Sequence, residues 1–288
     1  MTLGECRTWL IKGIRSESPK ADADALLCFV LGCTRTELIT ESSRALTDAE
    51  TERLESCAER RNNGEPIAYI TGTRGFWDFE VEVNSSTLIP RPETEFLVET
   101  ALGLFRGGTF LDLGTGTGAI LIAIARERPS AKAFGTDVVS EAVRLARRNC
   151  DANRVRADIR EGSWYEPVSD MKFDLIVSNP PYIDPDDHHL EEGDVRFEPR
   201  TALVSGHCGM DDLRLIIGDA PQHLNASGHL AVEHGWNQGF AVRKLFGEAG
   251  FTDIRSVRDY GGHERVTYGT MPDGAAGTAE EFSGSGTL

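Results

Sequence analysis

The chain has 288 residues, 40% of them hydrophobic and 26% charged, so it is long enough for two folded domains. Its 46 acidic and 30 basic residues give a net charge of −16, which disfavours a protein that grips duplex DNA nonspecifically through a cationic surface. The longest apolar run, residues 25–31, is too short to cross a bilayer, and the amino terminus lacks a signal-peptide pattern. We therefore expect a cytoplasmic protein with no membrane partner and no direct DNA binding.

The cysteines and histidines point to neither a disulfide framework nor a metal. The six cysteines show no C-x-x-C pairing, and the seven histidines show no spacing typical of metal ligands. The sequence therefore predicts free thiols in a reducing compartment and no metal site.

Residues 1–64 have the pattern of a small helical domain. Thr34 and Thr47 each begin a Thr-x-x-Glu capping box, and Ser18 precedes a proline that suits the first position of a helix. Gly32 falls where a helix should end. We predict three to five helices, which either help to recognise a partner or form a purely structural cap.

The next stretch changes to the pattern of strands. Residues 66–72 and 76–83 are joined by glycine-containing turn residues, so we predict a β-hairpin linker over residues 65–86. Pro92 can then open a helix that runs to about residue 105, with acids in the first turn, where the helix dipole favours them.

A strand, a glycine turn and a helix follow. The alternating glycines from Gly114 to Gly118 allow positive φ angles and the close backbone approach that a ligand at a helix start requires. A second strand ends in Asp137, about twenty residues beyond the turn, where an acid can accept both hydroxyls of an adenosine ribose. Asp112 is better explained as a polar group near the charged end of such a cofactor than as core, because a buried unpaired carboxylate is costly. Trp164, just past the strand predicted at 157–163, either flanks a purine ring or covers the sheet.

The Asn-Pro-Pro-Tyr segment after the apolar strand at 173–178 is suited to hold a planar amino group. Its prolines have no N–H, so the segment presents carbonyl oxygens with few competing donors. The Asn179 side-chain oxygen and the Pro180 backbone oxygen can each accept one hydrogen of an NH2 group, and Tyr182 offers an aromatic face. The alternative is an ordinary proline turn at the end of a strand.

The last third of the chain is predicted to complete an open α/β sheet. The expected elements are helices at 210–224 and 236–249, and strands at 229–233, 254–258 and 266–268. The long loop after the motif is where acceptor-facing residues belong in such a sheet. Glu198 in that loop either contacts the substrate or is a solvated acid.

LDLGTGTGAI, SNPPYI and the acid at the end of the second strand resemble the class I S-adenosylmethionine-dependent methyltransferases with an amino-group acceptor. GEPIAYITG, LIPRPETE, GDVRFEP, EHGWNQG and DYGGHERVT narrow the resemblance to the protein-(glutamine-N5) methyltransferases of peptide-chain release factors, the PrmC or HemK family. The resemblance spans residues 65–269, and the helical region has the size and kind found in this family.

The resemblance implies a Rossmann-like α/β methyltransferase sheet over residues 87–270, S-adenosylmethionine as cofactor, and the GGQ glutamine of a release factor as substrate. The predicted cofactor-binding residues are Asp112, Gly114, Thr115, Gly116, Thr117, Gly118, Asp137, Trp164 and Asn179. The predicted substrate-binding residues are Asn179, Pro180, Pro181, Tyr182 and Glu198, with Asn179, Pro180 and Tyr182 catalytic. In this family the helical domain helps to hold the partner. Residues 271–288 extend beyond the family's usual end and are expected to be disordered.

The proposed chemistry suits these residues. An amide nitrogen is a poor nucleophile because its lone pair is delocalised into the carbonyl. Two acceptors that hold its hydrogens can pyramidalise it toward a sulfonium methyl and stabilise the positive charge that the nitrogen gains. Two other functions stay open at this point. Adenine-N6 methylation of DNA or RNA requires a basic groove that the sequence does not show, and a noncatalytic binding protein has no need of intact Asp137 and Asn179.

Overall fold

The computed structural model describes residues 1–191 and 193–273. The disorder predicted for residues 271–288 therefore falls almost wholly on residues 274–288, outside the described part. The chain begins with four helices: α1 Leu3–Gly13, α2 Pro19–Leu31, α3 Arg35–Thr40 and α4 Asp48–Asn62. They bury a core of their own, in which the largest fully enclosed side chains are Leu3, Leu10, Leu26, Leu27 and Leu54.

The helix ends follow the local sequence. The capping boxes predicted at Thr34 and Thr47 are both formed, and Thr2 makes a third. Gly32 ends α2 with a φ of 63°, as predicted. The helix starts at its proline as expected, but the Ser18 side chain makes no capping hydrogen bond, because a φ of −133° and a ψ of 60° take its backbone out of the usual N-cap conformation.

The predicted strand at 66–72 is wrong, because these residues form the short helix α5 Ile67–Thr71. A brief apolar run cannot be assigned to helix or strand by its periodicity alone. Here Ala68 packs into the sheet core while Ile70 packs into the helical core, so both sides of the turn are buried. The hairpin itself is present just beyond, between β1 Thr73–Phe76 and β2 Phe79–Glu82.

A seven-stranded mixed sheet forms the rest of the molecule. Its strands are β3 Thr109–Leu113, β4 Lys132–Asp137, β5 Ala157–Glu161, β6 Phe173–Ser178, β7 Leu224–Glu233, β8 Thr252–Arg258 and β9 Glu264–Thr270. The spatial order is β5-β4-β3-β6-β7-β9-β8, with β9 antiparallel to both of its neighbours and all other pairs parallel. This is the predicted α/β sheet, including its closing antiparallel hairpin.

Helices cover both faces of the sheet. They are α6 Glu95–Leu104, α7 Ala119–Glu127, α8 Ser140–Ala152, α9 Arg200–Leu203, α10 Gly206–Gly209, α11 Asp211–His223 and α12 Gly239–Glu248. Of these, α10 is a single turn whose central residues His207 and Cys208 have positive φ angles. One core lies beneath α6, α7 and α8, and a second lies beneath α11 and α12. Alternate strand residues supply the two cores: Leu175 and Val177 face the first, and Ile176 faces the second. The helix predicted from residue 236 begins three residues later, at Gly239.

The strand register brings four strand ends to one edge of the sheet. Leu113 pairs with both Thr136 and Ser178, and Ser178 pairs with Val232. The residues that follow these partners, among them Asp137 and Asn179, therefore lie side by side at the carboxyl edge, where open α/β sheets bind their ligands. Within the described part of the chain, no helix combines the length and apolarity needed to cross a membrane.

Candidate active site

A cavity of about 430 Å³ opens at this edge of the sheet. Seven of the nine predicted cofactor-binding residues line it: Gly114, Thr115, Gly116, Thr117, Asp137, Trp164 and Asn179. Gly118 and Asp112 do not. The wall is completed by Ser86, Thr87, Leu88, Pro90, Thr94, Ala119, Ile120, Val138, Val139, Ser163, Pro181, Thr201, Ala202, Val204 and Asp212.

The glycine turn adopts the conformation that its sequence predicts. Gly114 has a φ of 67°, and a Cβ there would lie 3.1 Å from Cζ3 of Trp164. Gly118 has a φ of 82° at the start of α7, where it packs against Ala146. Gly114 therefore shapes the cavity, whereas Gly118 lets the helix approach its neighbour closely.

Asp137 orients the turn as well as facing the cavity. Its Oδ2 accepts the N–H of Gly116 at 2.9 Å, and its Oδ1 accepts the N–H of Val139 at 2.9 Å. Burial raises the pKa of Asp137, while these two N–H groups oppose the rise. Each carboxylate oxygen still has lone-pair capacity for another donor, so the group suits a pair of ribose hydroxyls.

Asp112 lies in the core beneath the turn, contrary to the prediction that it sits near a cofactor's charged end. It is fully buried, its Oδ2 accepts the hydroxyl of Thr115 at 2.6 Å, and its Oδ1 has no hydrogen-bond partner among the described residues. Burial raises the pKa of Asp112 to about 7. Asp112 contacts the cavity wall through Thr115. Its raised pKa lowers the free-energy cost of burial, because a neutral carboxyl group is easier to bury than a carboxylate.

Asn179 stands where two cavities meet. Besides lining the larger one, it borders a smaller cavity of about 130 Å³ together with Pro180 and Tyr182. Its Nδ2 donates to Oγ1 of Thr94 at 3.1 Å. Its Oδ1 is buried and has no hydrogen-bond partner in the described structure, so an acceptor atom is held in place without a donor.

Tyr182 is fixed at both ends. Its hydroxyl donates to Oε1 of Glu233 at 3.0 Å, and its backbone oxygen accepts the side-chain amide of Gln238 at 3.0 Å. Glu233 is 1% exposed, and burial raises its pKa to about 7. Sequence reasoning assigned no role to Glu233, Gln238 or Thr94, although each lies in a segment that carried the family resemblance.

Glu198 does not reach the cavity. Its side chain has no exposed surface, its Oε1 accepts the N–H of Ile89 at 3.0 Å, and its Oε2 pairs with Arg91. Neither alternative considered from the sequence, substrate contact or solvated acid, fits this geometry. Glu198 fastens the loop after the motif to the segment that borders both cavities.

A second ion-pair group ties this loop to the helical region. Arg61 of α4 donates from Nε to Oδ2 of Asp22 at 2.7 Å and from Nη1 to Oδ1 of Asp194 at 2.9 Å. The same Nη1 also donates to the backbone oxygen of Glu65. One guanidinium therefore joins two helices of the helical region to the loop that follows the Asn-Pro-Pro-Tyr segment.

A nucleic-acid substrate would require positive charge at the two cavities, and a metal would require ligands nearby. Among the described residues that line the two cavities, Arg91 is the single lysine or arginine, and Glu198 neutralises it.

Farther along the loop, Asp187, His188 and His189 bring three ligand atoms within 4.8 Å of one another, although the sequence spacing predicted no metal. Both histidines of that group are solvent-exposed and hydrogen bonds within it account for its geometry, so we assign no metal to it.

Two protein-family models match parts of this chain. Residues 10–72 match the PrmC N-terminal domain model, and residues 91–193 match the methyltransferase small domain model. A release factor glutamine methyltransferase from Salmonella typhimurium is 48% identical over 268 residues, 91% of this chain and 97% of its own length. One from Escherichia coli is 46% identical over 272 residues, 92% of this chain and 98% of its own length.

Solved structures share the fold. A methyltransferase from Pyrococcus furiosus superposes with a TM-score of 0.54 at 19% identity, over 76% of this chain and 99% of its own. A 16S rRNA methyltransferase from T. thermophilus, in complex with AdoMet and guanosine, gives a TM-score of 0.52 at 19% identity, over 69% of this chain and 49% of its own. At this identity the likeness concerns the fold alone.

Proposed function

The chain belongs to the release factor glutamine methyltransferase family, and on that basis we propose which of its residues carry the reaction. The enzyme methylates a glutamine of a release factor with S-adenosylmethionine, and the release factor is its protein substrate. The proposal concerns the atom that is modified, the side-chain amide nitrogen (N5) of the GGQ glutamine, and the side chains that hold it.

The larger cavity suits S-adenosylmethionine. Asp137 retains acceptor capacity for the ribose hydroxyls, Trp164 stands beside the glycine turn for the adenine, and the turn leaves space that a Cβ at Gly114 would narrow. S-adenosylmethionine supplies an electrophilic methyl group when bound. The remaining cofactor-binding assignments are carried by Thr115, Gly116 and Thr117, which line the cavity, and by Gly118 and Asp112, which support the turn from behind.

The unpaired Oδ1 of Asn179 is the observation that carries the acceptor assignment. A buried carbonyl oxygen without a donor is costly, and a substrate N–H would satisfy it. Pro180 follows with a backbone oxygen that can accept the second amide hydrogen, and Tyr182 borders the same small cavity with its ring. Pro181 lines the larger cavity.

These residues catalyse by position and by charge. Two fixed acceptors orient the amide nitrogen and leave its lone pair directed toward the larger cavity. As the nitrogen gains positive charge, the two carbonyl oxygens stabilise that charge more strongly than they stabilise the neutral amide. No general base is required before transfer, because proton loss can follow it.

Residues 1–64 are proposed to hold the release factor, with residues 65–86 as a linker and 87–270 as the methyltransferase domain. The Arg61 contacts support this role, because they connect the helices to the loop beside the acceptor cavity. A partner bound to the helices would lie next to the loop that follows the catalytic motif.

The test is mass spectrometry of a purified bacterial-type release factor after incubation with the enzyme and S-adenosylmethionine. We expect one added methyl on the GGQ glutamine. We expect Asn179→Ala to lower kcat by roughly 10²- to 10³-fold, as for loss of one preorganised polar group at a transition state, with the Kd of S-adenosylmethionine nearly unchanged.

A DNA duplex and a release factor whose GGQ glutamine is replaced by asparagine serve as parallel controls. Methylated adenine beside an unmodified release factor would overturn the proposal. Equal losses of turnover and cofactor affinity in Asn179→Ala would remove Asn179 from the acceptor site.

A further inference from the structure

Glu233 is a buried acidic side chain that has no role in the reaction described above. It is the last residue of β7, and the register that pairs Ser178 with Val232 places it directly beside Asn179 at the carboxyl edge of the sheet. Its side chain is buried, and across residues 1–191 and 193–273 no lysine, arginine or histidine forms an ion pair with it. A buried carboxylate without a cation is destabilising, so its presence beside Asn179 calls for an explanation.

The contacts of Glu233 lead to both side chains of the acceptor site. Its Oε1 accepts the hydroxyl of Tyr182 at 3.0 Å. The Thr94 hydroxyl, which accepts from Nδ2 of Asn179 at 3.1 Å, lies close enough to the carboxylate to lower its pKa. Oε2 of Glu233 has no hydrogen-bond partner in the described structure, so its lone pairs are free to accept the nearby hydroxyl of Thr94 when that hydroxyl turns toward it.

The direction of the Thr94 contact matters for catalysis. A hydroxyl that donates its hydrogen to a carboxylate presents its lone pairs elsewhere, and it then accepts from the NH2 end of the Asn179 amide. The amide is thereby held with its oxygen toward the substrate. Without the carboxylate, the Thr94 hydroxyl can donate to Asn179 as well, and the amide can turn over.

We propose that Glu233 is a positioning residue for methyl transfer, which fixes the Tyr182 ring directly and the orientation of the Asn179 amide through Thr94. The proposal rests on the function assigned to Asn179 and Tyr182 above. The Tyr182 backbone is held separately by Gln238 and by close packing against Gly209, so substitution of Glu233 frees side chains rather than the loop.

Replacement of Glu233 tests the proposal through a split between kinetic constants. We expect Glu233→Gln, which keeps an acceptor, to lower kcat about tenfold, and Glu233→Ala to lower it about 100-fold, because small misplacements at a reacting centre cost that much. The Kd of S-adenosylmethionine should stay within about threefold of wild type, since the larger cavity is intact. Glu264→Gln, on the neighbouring strand and paired with Arg243, is the matched control and should leave kcat unchanged.

A multiple-variant comparison separates positioning from general structural support. In the background Tyr182→Phe with Thr94→Val, both contacts are already lost, so Glu233→Gln should cause no further loss of kcat. A full additional loss in that background would overturn the proposal, as would parallel declines in Tm and cofactor affinity. Equal kcat in wild type and Glu233→Ala would also overturn it.

The pH profile provides a further readout. The charged and titratable groups that face Glu233 are Tyr182, Arg265 of β9 and Glu93 of the turn before α6. Because burial raises the pKa of Glu233 to about 7, we expect kcat to rise with pH through this range in wild type and to flatten in Glu233→Gln. Failure of the proposed function has a different signature: wild type then adds no methyl to the release factor, whatever residue 233 is.

Discussion

Asp112 is an ionisable side chain that lies fully buried in the core near the end of β3. Its Oδ1 has no hydrogen-bond partner in the described structure, and the raised pKa lowers the cost of burial because the carboxyl is partly protonated near neutral pH. The hydroxyl of Thr115 satisfies the other oxygen and links the buried group to the cavity wall. The free energy of unfolding should therefore depend on pH through the protonation of Asp112.

We expect Asp112→Asn to gain stability relative to wild type as pH rises. The pKa of Asp112 is raised from 3.8 to about 7 in the folded state, so the native protein retains a proton that the unfolded chain releases. This stabilising contribution is present at low pH and lost as pH rises through about 7. Between about pH 5 and about pH 8, the free energy of unfolding of wild type should fall by about 2 to 3 kcal/mol relative to the variant.

Urea unfolding at both pH values measures this difference. Asp158→Asn, at an exposed position that pairs with Arg160, is the control and should show a nearly constant difference from wild type. A constant difference for Asp112→Asn as well would show that the carboxyl is ionised across the range.

Asp137 has a different task, because its two oxygens already hold the N–H groups of Gly116 and Val139. In Asp137→Asn an NH2 group replaces one acceptor and opposes one of these donors. We expect the Kd of S-adenosylmethionine to rise roughly 10- to 100-fold, equivalent to about 1.5–3 kcal/mol for hydrogen bonds to a charged group. Isothermal titration calorimetry with the exposed Asp151→Asn as control measures this change, and an unaltered Kd would remove Asp137 from the cofactor site.

At the scale of elements, Arg61 links the helical region to the loop that follows the catalytic motif. The Arg61 side chain is 13% exposed and joins α2, α4 and the loop at 194. Arg60, its neighbour in the chain, forms a more exposed pair with Glu65, which follows the end of α4. The two arginines therefore offer a matched comparison between a buried and an exposed ion pair.

We expect Arg61→Met to lower the free energy of unfolding by roughly 2–4 kcal/mol, because it leaves Asp22 buried without its cation. It should also raise the KM for the release factor, since the loop beside the acceptor cavity loses its ion pair with α4 and, among the hydrogen bonds of the described residues, keeps only the one from Arg196 to the Asn63 oxygen. Arg60→Met should cost less than about 1 kcal/mol. Chemical unfolding and release-factor kinetics measure both effects, and equal behaviour of the two variants would contradict the tethering role.

Local sequence was sufficient for the elements whose signals are local. Capping boxes, the strand-glycine-helix turn and the strand before Asn179 all appear as predicted, because each depends on residues a few positions apart. The segment Ile67–Thr71 was misassigned, because burial from two different cores decides its conformation. The periodicity of five residues cannot show that two cores bury them.

At the scale of the whole molecule, the site also combines features that the sequence predicts with features that only packing reveals. Asp137 and Asn179 could be predicted, since strand ends in an open α/β sheet mark the ligand edge before any contact is known. Glu233 and Thr94 could not, because their roles arise only when β7 and the start of α6 are packed beside the motif. Asp112 and Glu198 were predicted as ligand-binding residues but line neither cavity, because a sequence does not reveal which acids acquire buried partners.

The two cavities share part of their walls: Leu88, Asn179 and Ala202 border both. A ligand in either space therefore restricts atoms that the other ligand must also contact, which couples the two binding equilibria. Such coupling is reciprocal: any factor by which the cofactor tightens the release factor is the factor by which the release factor tightens the cofactor. Under the proposed assignment, the demethylated cofactor left in the larger space after transfer borders the same three residues as the modified glutamine, so the affinities of the two products should depend on each other by the same reciprocal factor.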